Sequence, residues 1–197
     1  VNIHRNPLCG RNFEYYSEDP RLTGAMAAAV TRGVQQEAGY YVTVKHFACN
    51  NQEDNRTFVS SVVGERALRE IYLRGFEEAV RSGGAKGVMT SYNRLNGVYT
   101  PNSHDLCTKV LRQEWGFDGV VMTDWSSTRK GQAGAAAALR AGNDLMMPGS
   151  GGDRRDILQA LRSGMLTEEE LRRCCGNVIR AILDSAVQRE YINDYQS

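Results

Sequence analysis

The segment 119–125, GVVMTDW, brings a carboxylate and an indole directly after a short apolar run. The run is β-branched and follows a glycine, which predicts a buried strand. Residues at the carboxyl ends of parallel strands line the active sites of α/β barrels, so Asp124 is a candidate for chemistry, with Trp125 as a possible pocket wall. Asp124 also suits the N-cap of a following helix, and this segment alone does not separate the two interpretations.

Polar side chains also follow the other predicted strands. If the strands are parallel, these side chains meet at one rim, where they surround a carboxylate with hydrogen-bonding groups beside an aromatic ring. Such a rim suits a sugar, since hydroxyls pair with charged side chains and a sugar ring stacks on tryptophan. The side chains in question are Arg11, Lys45, His46, Arg56 and Tyr92.

Each of these residues also has an ordinary structural explanation. A single histidine is more often a satisfied core residue than a catalyst, and Arg11 and Arg56 suit surface cations. Lys45 is less easily explained, because a lysine inside an apolar strand is uncommon. Asp144 is expected to be structural, bonded to backbone or to His46 beneath the site. The shared position at strand ends favours a functional site.

Strand-like and helix-like segments alternate along the chain, which predicts right-handed crossovers and a parallel sheet. Five strands are too few to close an eight-stranded barrel. Strands are predicted at 1–4, 41–47, 87–92, 119–123 and 144–147. Helices are predicted at 25–37, 65–81, after an N-cap at Ser103, at 132–141 before Gly142, at 153–163 before Gly164, and after a Thr167/Glu170 capping box. The predicted core faces are Met26, Val30 and Val34 on the first helix, and Leu171, Val178, Ile179, Ile182 and Leu183 on the last.

The composition excludes several classes of protein. A formal net charge of +1 does not indicate binding to nucleic acid or an anionic membrane surface. No apolar run approaches the length of a membrane span. The five cysteines include no CxxC pair, so neither a zinc site nor a disulfide framework is predicted, and no metal or cofactor is expected. Cys174 and Cys175 are expected to be packing residues, and a reducing, cytoplasmic location fits best.

Seven motifs occur in a fixed order along nearly the whole chain. They are 10–14 GRNFE with 16–20 YSEDP, 45–48 KHFA, 51–53 NQE with Arg56, 89–93 MTSYN, 114–117 EWGF, 122–125 MTDW, and 141–144 AGND with 147–148 MP. In this order they resemble glycoside hydrolase family 3, the β-glucosidase-type retaining enzymes. The resemblance implies an α/β fold: the later part of a (β/α)8 TIM-type barrel over residues 1–187, with the first strands missing, followed by a polar tail at 188–197.

The resemblance also implies a role for each candidate residue. Asp124 would be the catalytic nucleophile and form a covalent glycosyl-enzyme intermediate, kept ionised by basic neighbours. Tyr92 would sit beside Asp124 and orient it, while Met89 and Trp125 shape the pocket. The residues expected to bind sugar hydroxyls are Arg11, Lys45, His46 and Arg56.

The same resemblance indicates a subtype and an incomplete enzyme. The N-acetylglucosaminidase branch carries a glycine-rich KHFPG motif followed by an Asp-x-His dyad, whereas residues 48–51 here are ACNN, which favours the glucosidase or xylosidase branch. The substrate would be a β-linked glucoside or oligosaccharide, cleaved at terminal non-reducing β-D-glucosyl residues. The acid/base glutamate is expected on a separate α/β-sandwich domain that no segment here resembles. The chain alone is therefore expected to be inactive and to need a partner, either the rest of the enzyme or a second copy.

Three alternatives remain open at this point. A carbohydrate-binding or regulatory module would keep the pocket without turnover, and it would have no need of Asp124 as a nucleophile. A bare folding fragment would have no affinity for sugars. An unrelated barrel aldolase would use Lys45 as a Schiff base, but the chain lacks an evident phosphate-binding glycine loop.

Overall fold

A computed structural model describes residues 1–129 and 131–188 of the chain. The central sheet contains three parallel strands in the order β1 (Thr43–Phe47), β3 (Gly87–Thr90) and β6 (Val120–Met122). A bridge from Met122 to Leu145 adds one further parallel position. The predicted parallel sheet is therefore confirmed, and within the described ranges it does not close on itself. The strands are β1 (Thr43–Phe47), β2 (Ser60–Ser61), β3 (Gly87–Thr90), β4 (Arg94–Leu95), β5 (Val98–Tyr99) and β6 (Val120–Met122).

Helices alternate with the strands of this sheet, as predicted. The second helical segment, α2, is α-helical at Glu65–Ala67, π-helical at Leu68–Tyr72 and α-helical again at Arg74–Arg81. The others are α1 (Pro20–Gln35), the π-helical α3 (Asp105–Glu114), α4 (Ala135–Ala141), α5 (Gly151–Ser163) and α6 (Glu168–Leu183). Short 3-10 turns occur at Asn12–Glu14 and Thr100–Asn102.

Local capping signals set several helix ends. The carboxylate of Asp19 accepts hydrogen bonds from two backbone amides of the first turn of α1, so this helix begins five residues before the predicted start at 25. The predicted Thr167/Glu170 capping box is present at the start of α6. Gly142 and Gly164 follow α4 and α5 in the left-handed conformation, with φ of 113° and 73°, as predicted.

The core lies between the sheet and helices α2 and α3. Phe47, at the end of β1, is fully buried. Its ring makes edge-on contacts with Phe76 at 5.1 Å and with Trp115 at 5.9 Å between ring centroids. This aromatic cluster anchors the carboxyl end of β1, the part of the strand that carries Lys45 and His46.

The outer predicted strands are not regular strands. Residues 1–4 lie beside β1, but they contact it through the amino terminus, which donates to Lys45 O, and through Asn2 Oδ1, which accepts from His46 N at 2.9 Å. A side chain thus takes the place of a backbone ladder. The predicted strand 144–147 is reduced to the single bridge at Leu145.

The predicted core face of the first helix is wrong, and that of the last helix is confirmed only in part, since Leu171 packs partly buried against the core whereas three of the other predicted residues do not. In α1 the apolar stripe of Met26, Val30 and Val34 is 44–46% exposed, because the helix packs against α2 through its small residues. A Cβ at Gly24 would approach the Glu78 side chain to 2.8 Å, so the close contact depends on this glycine. In α6 the buried residues are Cys174 and Asn177, whereas Ile179, Ile182 and Leu183 are more than half exposed.

The predicted tail at 188–197 lies outside the described residues apart from Gln188. No helix within the described ranges combines the length and the apolar character that crossing a bilayer requires.

Candidate active site

Asp124 lies two residues beyond β6 and is 6% exposed. Its Oδ1 accepts a hydrogen bond from the Trp125 amide at 2.6 Å. Its Oδ2 has no hydrogen-bond partner among the described residues and lies 3.6 Å from His46 Nε2. The helix-cap interpretation is wrong, since the next helix, α4, takes Gly134 as its N-cap. The strand end therefore presents a buried carboxylate with one oxygen uncommitted.

His46 connects this carboxylate to the interior of the protein. It lies on β1 and is 1% exposed, and its Nδ1 is 3.1 Å from the Tyr15 hydroxyl. Burial, together with the nearby charges of Arg11 and Lys45, lowers the pKa of His46 to about 3. The imidazole is therefore neutral at physiological pH and acts as a hydrogen-bonding group beside Asp124.

Two carboxylates hold the cations of the site. Glu14 accepts hydrogen bonds from Arg11 Nε and forms an ion pair with Lys45 Nζ at 3.0 Å. Glu53 accepts from Arg56 at 2.7 Å. The Lys45 side chain is 42% exposed, so the argument from a lysine buried in an apolar strand does not hold. Its ammonium instead reaches out of the sheet to the rim.

Tyr92 connects the end of β3 to the end of β6. Its hydroxyl donates to the Trp125 carbonyl at 2.7 Å, and the Arg56 guanidinium lies 4.8 Å from the centre of its ring. Burial, and then the charge of Asp124, raise the pKa of Tyr92 to about 12. Tyr92 therefore stays protonated and remains a hydrogen-bond donor next to the carboxylate.

The two apolar candidates are both close to β6 along the backbone. Trp125 directly follows Asp124 and is 55% exposed, so its ring is available for stacking. Met89 is half-buried on β3 and pairs in register with Met122, two residues before Asp124. The structure thus brings all of the predicted site residues to the rim at the ends of β1, β3 and β6.

Burial opposes the effect of the basic neighbours that are expected to keep Asp124 ionised. Burial raises the pKa of this carboxyl, and burial is the largest influence. The Trp125 amide, Tyr92, Arg11 and Arg56 act in the opposite direction and lower it. The carboxylate is therefore poorly solvated as well as surrounded by donors and cations, which suits a nucleophile.

Sequence reasoning missed the residues that hold the candidates in place. Glu14 and Glu53 lie within two of the seven motifs, and each is three positions from the arginine that it pairs with. That spacing was the available signal. Tyr15 and Asn50, which bond to one another and lead to His46, carried no signal in the local pattern.

Asp144 is structural, as expected, and of the two predicted partners it bonds to the backbone, together with two side chains that were not predicted. Its carboxylate accepts from Arg112 at 2.6 Å, from the Val121 amide at 2.8 Å and from Asn177 at 2.7 Å. It does not bond to His46. These contacts tie the helices α3 and α6 to strand β6, away from the Asp124 carboxylate.

Neither the cysteines nor a cluster of metal-binding side chains forms a second candidate site in the part of the chain that the structure describes. Cys174 is fully buried and packs as predicted, whereas Cys175 is exposed, so the packing prediction is wrong for the latter. Over residues 1–129 and 131–188 there is no group of three or more His, Cys, Asp or Glu side chains that could hold a metal ion.

Known proteins match the chain closely. Residues 1–181 fit the model of the glycosyl hydrolase family 3 N terminal domain. A beta-glucosidase of Ruminococcus albus is 49% identical over 193 residues, which cover 94% of this chain and 20% of that protein. An exo-alpha-(1->6)-L-arabinopyranosidase of Bifidobacterium longum is 47% identical over 179 residues, covering 91% of this chain and 23% of that protein.

Solved structures agree with these relatives. Beta-glucosidase 3B from Thermotoga neapolitana, determined in complex with glucose, superposes with a TM-score of 0.90 and 48% identity, covering 97% of this chain and 27% of that one. The open parallel sheet of this chain, with its helices, is therefore part of a TIM-type barrel, as predicted. The chain spans about a fifth to a quarter of the length of these relatives. It belongs to glycosyl hydrolase family 3, and its residues 1–181 match the N-terminal domain of that family.

Proposed function

We propose that this chain is the nucleophile-bearing part of a retaining β-glycosidase that hydrolyses terminal non-reducing β-D-glucosyl residues. The observation that carries the proposal is Asp124, a buried carboxylate on a strand end with one oxygen held by an amide and the other uncommitted. Relatives named beta-glucosidases, and a structural neighbour determined with glucose, support the choice of sugar.

The proposed reaction is a double displacement. Asp124 attacks the anomeric carbon, the glycosidic C–O bond breaks, and the leaving oxygen takes a proton from a general acid. Water then attacks the glycosyl-enzyme from the face that the leaving group has vacated, opposite Asp124, gives a proton to the general acid, which now acts as a base, and releases Asp124. The cations at the rim and the neutral His46 ring bind the sugar hydroxyls, and Tyr92 orients the nucleophile. The hydroxyl-binding residues are Arg11, Lys45, His46 and Arg56.

The general acid in this proposal is a glutamate on a further domain of a longer protein. General acid catalysis contributes about 10²- to 10⁴-fold. The chain by itself is therefore proposed to turn over very slowly, although it carries the proposed nucleophile.

Trapping the covalent intermediate tests this proposal without requiring the general acid. We expect an activated 2-deoxy-2-fluoro-β-glucoside to add one fluorosugar to the intact mass of the chain, because a good leaving group needs no protonation and the fluorine slows hydrolysis. Asp124→Asn should abolish the adduct. Asp118→Asn, a change at a carboxylate that is exposed and pairs with Lys86, should leave it intact.

The outcomes are distinguishable when a longer protein containing this chain is treated in parallel. An adduct in the longer protein alone would mean that the pocket needs further segments. No adduct in either, or an adduct that survives Asp124→Asn, would contradict the proposal.

A second substrate deserves a direct comparison. Relatives at 46–47% identity are named exo-alpha-(1->6)-L-arabinopyranosidases, which makes an L-arabinopyranoside the competing substrate. Aryl glycosides of the two sugars, compared by kcat/KM in a longer protein, would decide between them. A higher value for the arabinopyranoside would transfer the proposal to that sugar.

We propose that the rest of the enzyme completes the open sheet. When the chain is alone, a second copy of the chain takes the place of the rest of the enzyme. Apolar residues on the outer faces of two helices support this, since contiguous exposed apolar surface marks an interaction site. The α1 face carries Leu22, Met26, Val30 and Val34, and the α6 face carries Ile179, Ile182 and Leu183, all 44–60% exposed.

Light scattering of the purified chain is expected to give a mass above the 21.9 kDa monomer. Val30→Lys with Ile182→Lys should lower that mass, because each change places a charge on one of the two apolar faces. Gln159→Lys, on the exposed side of α5, is the matched control and should have no effect. A soluble wild-type monomer would contradict the covering of these faces by a second copy.

A further inference from the structure

Three buried polar side chains form a line that leads to Asp124. Asn50, Tyr15 and His46 are 2%, 6% and 1% exposed. Asn50 Nδ2 lies 3.2 Å from the Tyr15 hydroxyl, which lies 3.1 Å from His46 Nδ1. His46 Nε2 then faces Asp124 Oδ2 at 3.6 Å. The contacts therefore run without a break from the loop after β1 to the candidate nucleophile.

The chemistry of the donors gives this line a direction. An amide nitrogen can only donate, so the Tyr15 oxygen accepts from Asn50. A tyrosine hydroxyl has one proton, and that proton is then free to be donated to His46 Nδ1. Nδ1 therefore acts as an acceptor and carries no hydrogen.

A neutral imidazole ring carries one N–H proton, on either Nδ1 or Nε2. Burial, with the charges of Arg11 and Lys45, lowers the pKa of His46 to about 3, so the ring is neutral at neutral pH. With Nδ1 accepting, the proton is on Nε2 and points towards Asp124 Oδ2, which has no hydrogen-bond partner among the described residues. The opposite tautomer would turn a nitrogen lone pair towards the carboxylate, an electrostatically unfavourable arrangement.

We propose that Tyr15, oriented by Asn50, is a positioning residue that fixes His46 as the Nε2–H tautomer, so that the ring presents a hydrogen-bond donor to Asp124 and to sugar hydroxyls bound beside it. The tautomer follows from the contacts of the chain alone. Its role in the reaction rests on the proposed function. Tyr15 acts through His46 and does not itself touch the reacting atoms.

Nitrogen-15 NMR of the histidine-labelled chain at neutral pH reads the tautomer directly. The chain has three histidines, and the His46 signals are identified by their loss in His46→Gln. We expect a protonated Nε2 and an unprotonated Nδ1 for His46. A protonated Nδ1, or a ring that carries both protons, would overturn the proposal.

Two substitutions test whether Tyr15 and Asn50 cause this preference. Tyr15→Phe removes the donor to Nδ1, so the His46 signals should move towards a mixture of tautomers. Asn50→Asp replaces the donor by an acceptor of the same shape, so the Tyr15 proton turns to the new carboxylate and the tautomer should reverse. Tyr16→Phe is the control and should change nothing, because Tyr16 is exposed and its hydroxyl makes no hydrogen bond within the described ranges. Unchanged His46 signals in both test variants would overturn the proposal. If one variant folds poorly, unchanged signals in the other would overturn it.

The rate of fluorosugar trapping, measured in a longer protein containing this chain, tests the positioning role. Tyr15→Phe should slow trapping about 3- to 10-fold, the effect of losing one hydrogen bond, while Tyr16→Phe leaves it unchanged. An unaffected rate together with a shifted tautomer would overturn the positioning role. A wild-type protein that traps no sugar speaks against the proposed function instead, and the NMR result still decides the tautomer.

Discussion

Replacing Asp124 by alanine in a longer protein that contains this chain is expected to lower kcat on an aryl β-glucoside by roughly 10⁴-fold or more. The effect is large because the groups that face the Asp124 carboxylate cannot replace it: His46 is neutral, and the nearby Arg11 and Arg56 are cations. Steady-state kinetics with wild-type and variant protein measure this loss. KM should change much less than kcat, since the residues proposed to bind the sugar hydroxyls remain.

Azide provides the decisive control for this variant. A small anion can occupy the space left by the Asp124 carboxylate and attack the anomeric carbon, so azide should restore turnover in Asp124→Ala and yield a glycosyl azide of inverted configuration. Asp118→Ala, an equivalent change at the opposite end of the sheet, should keep wild-type kcat. Full activity in Asp124→Ala, or rescue with retention of configuration, would refute the assignment of the nucleophile.

Replacing Asp144 by alanine is expected to destabilise the chain by about 3–5 kcal/mol. The Asp144 side chain is fully buried and bonds to Arg112, Asn177 and the Val121 amide. Its removal leaves the guanidinium, 15% exposed, without its counter-ion. Urea unfolding measures the loss, which corresponds to a Tm lower by about 2–4 °C for each kcal/mol in a chain of this size.

Two variants distinguish a buried charge pair from a general loss of packing. Asp118→Ala breaks an exposed pair with Lys86 and should cost about 0–1 kcal/mol. Arg112→Met combined with Asp144→Ala should recover part of the stability, because it removes the unpaired charge together with its partner. Equal destabilisation by Asp118→Ala and Asp144→Ala would contradict the importance of the buried pair.

Much of the architecture could be predicted because its signals are local. The apolar run before Asp124 became β6, and the capping box at Thr167 and the glycine at 142 mark the helix boundaries that were expected. Capping and strand periodicity act within a few residues, so the pattern of types along the chain is enough to reveal them. The polar residues that follow the strands could be found for the same reason.

The burial of helix faces could not be predicted in this way. The stripe of Met26 and Val30 has the spacing of a core face, yet α1 packs through small residues around Gly24. Helical periodicity indicates that an apolar stripe exists, but the surface that it meets depends on the other elements of the fold. In the described part of the chain, nothing is packed over this stripe or over the corresponding stripe of α6.

Local patterns were thus sufficient to identify alternating strands and helices, the parallel sheet and Asp124 at a strand end. The state of that carboxylate was decided by the folded chain. Burial of Asp124 depends on solvent exclusion, and the pairing of Glu14 with Lys45 and the line through Tyr15 to His46 join residues that are distant in sequence. Such interactions exist only once the strands have brought their ends to one rim, because hydrogen bonds and desolvation act over a few ångströms in space and not along the chain.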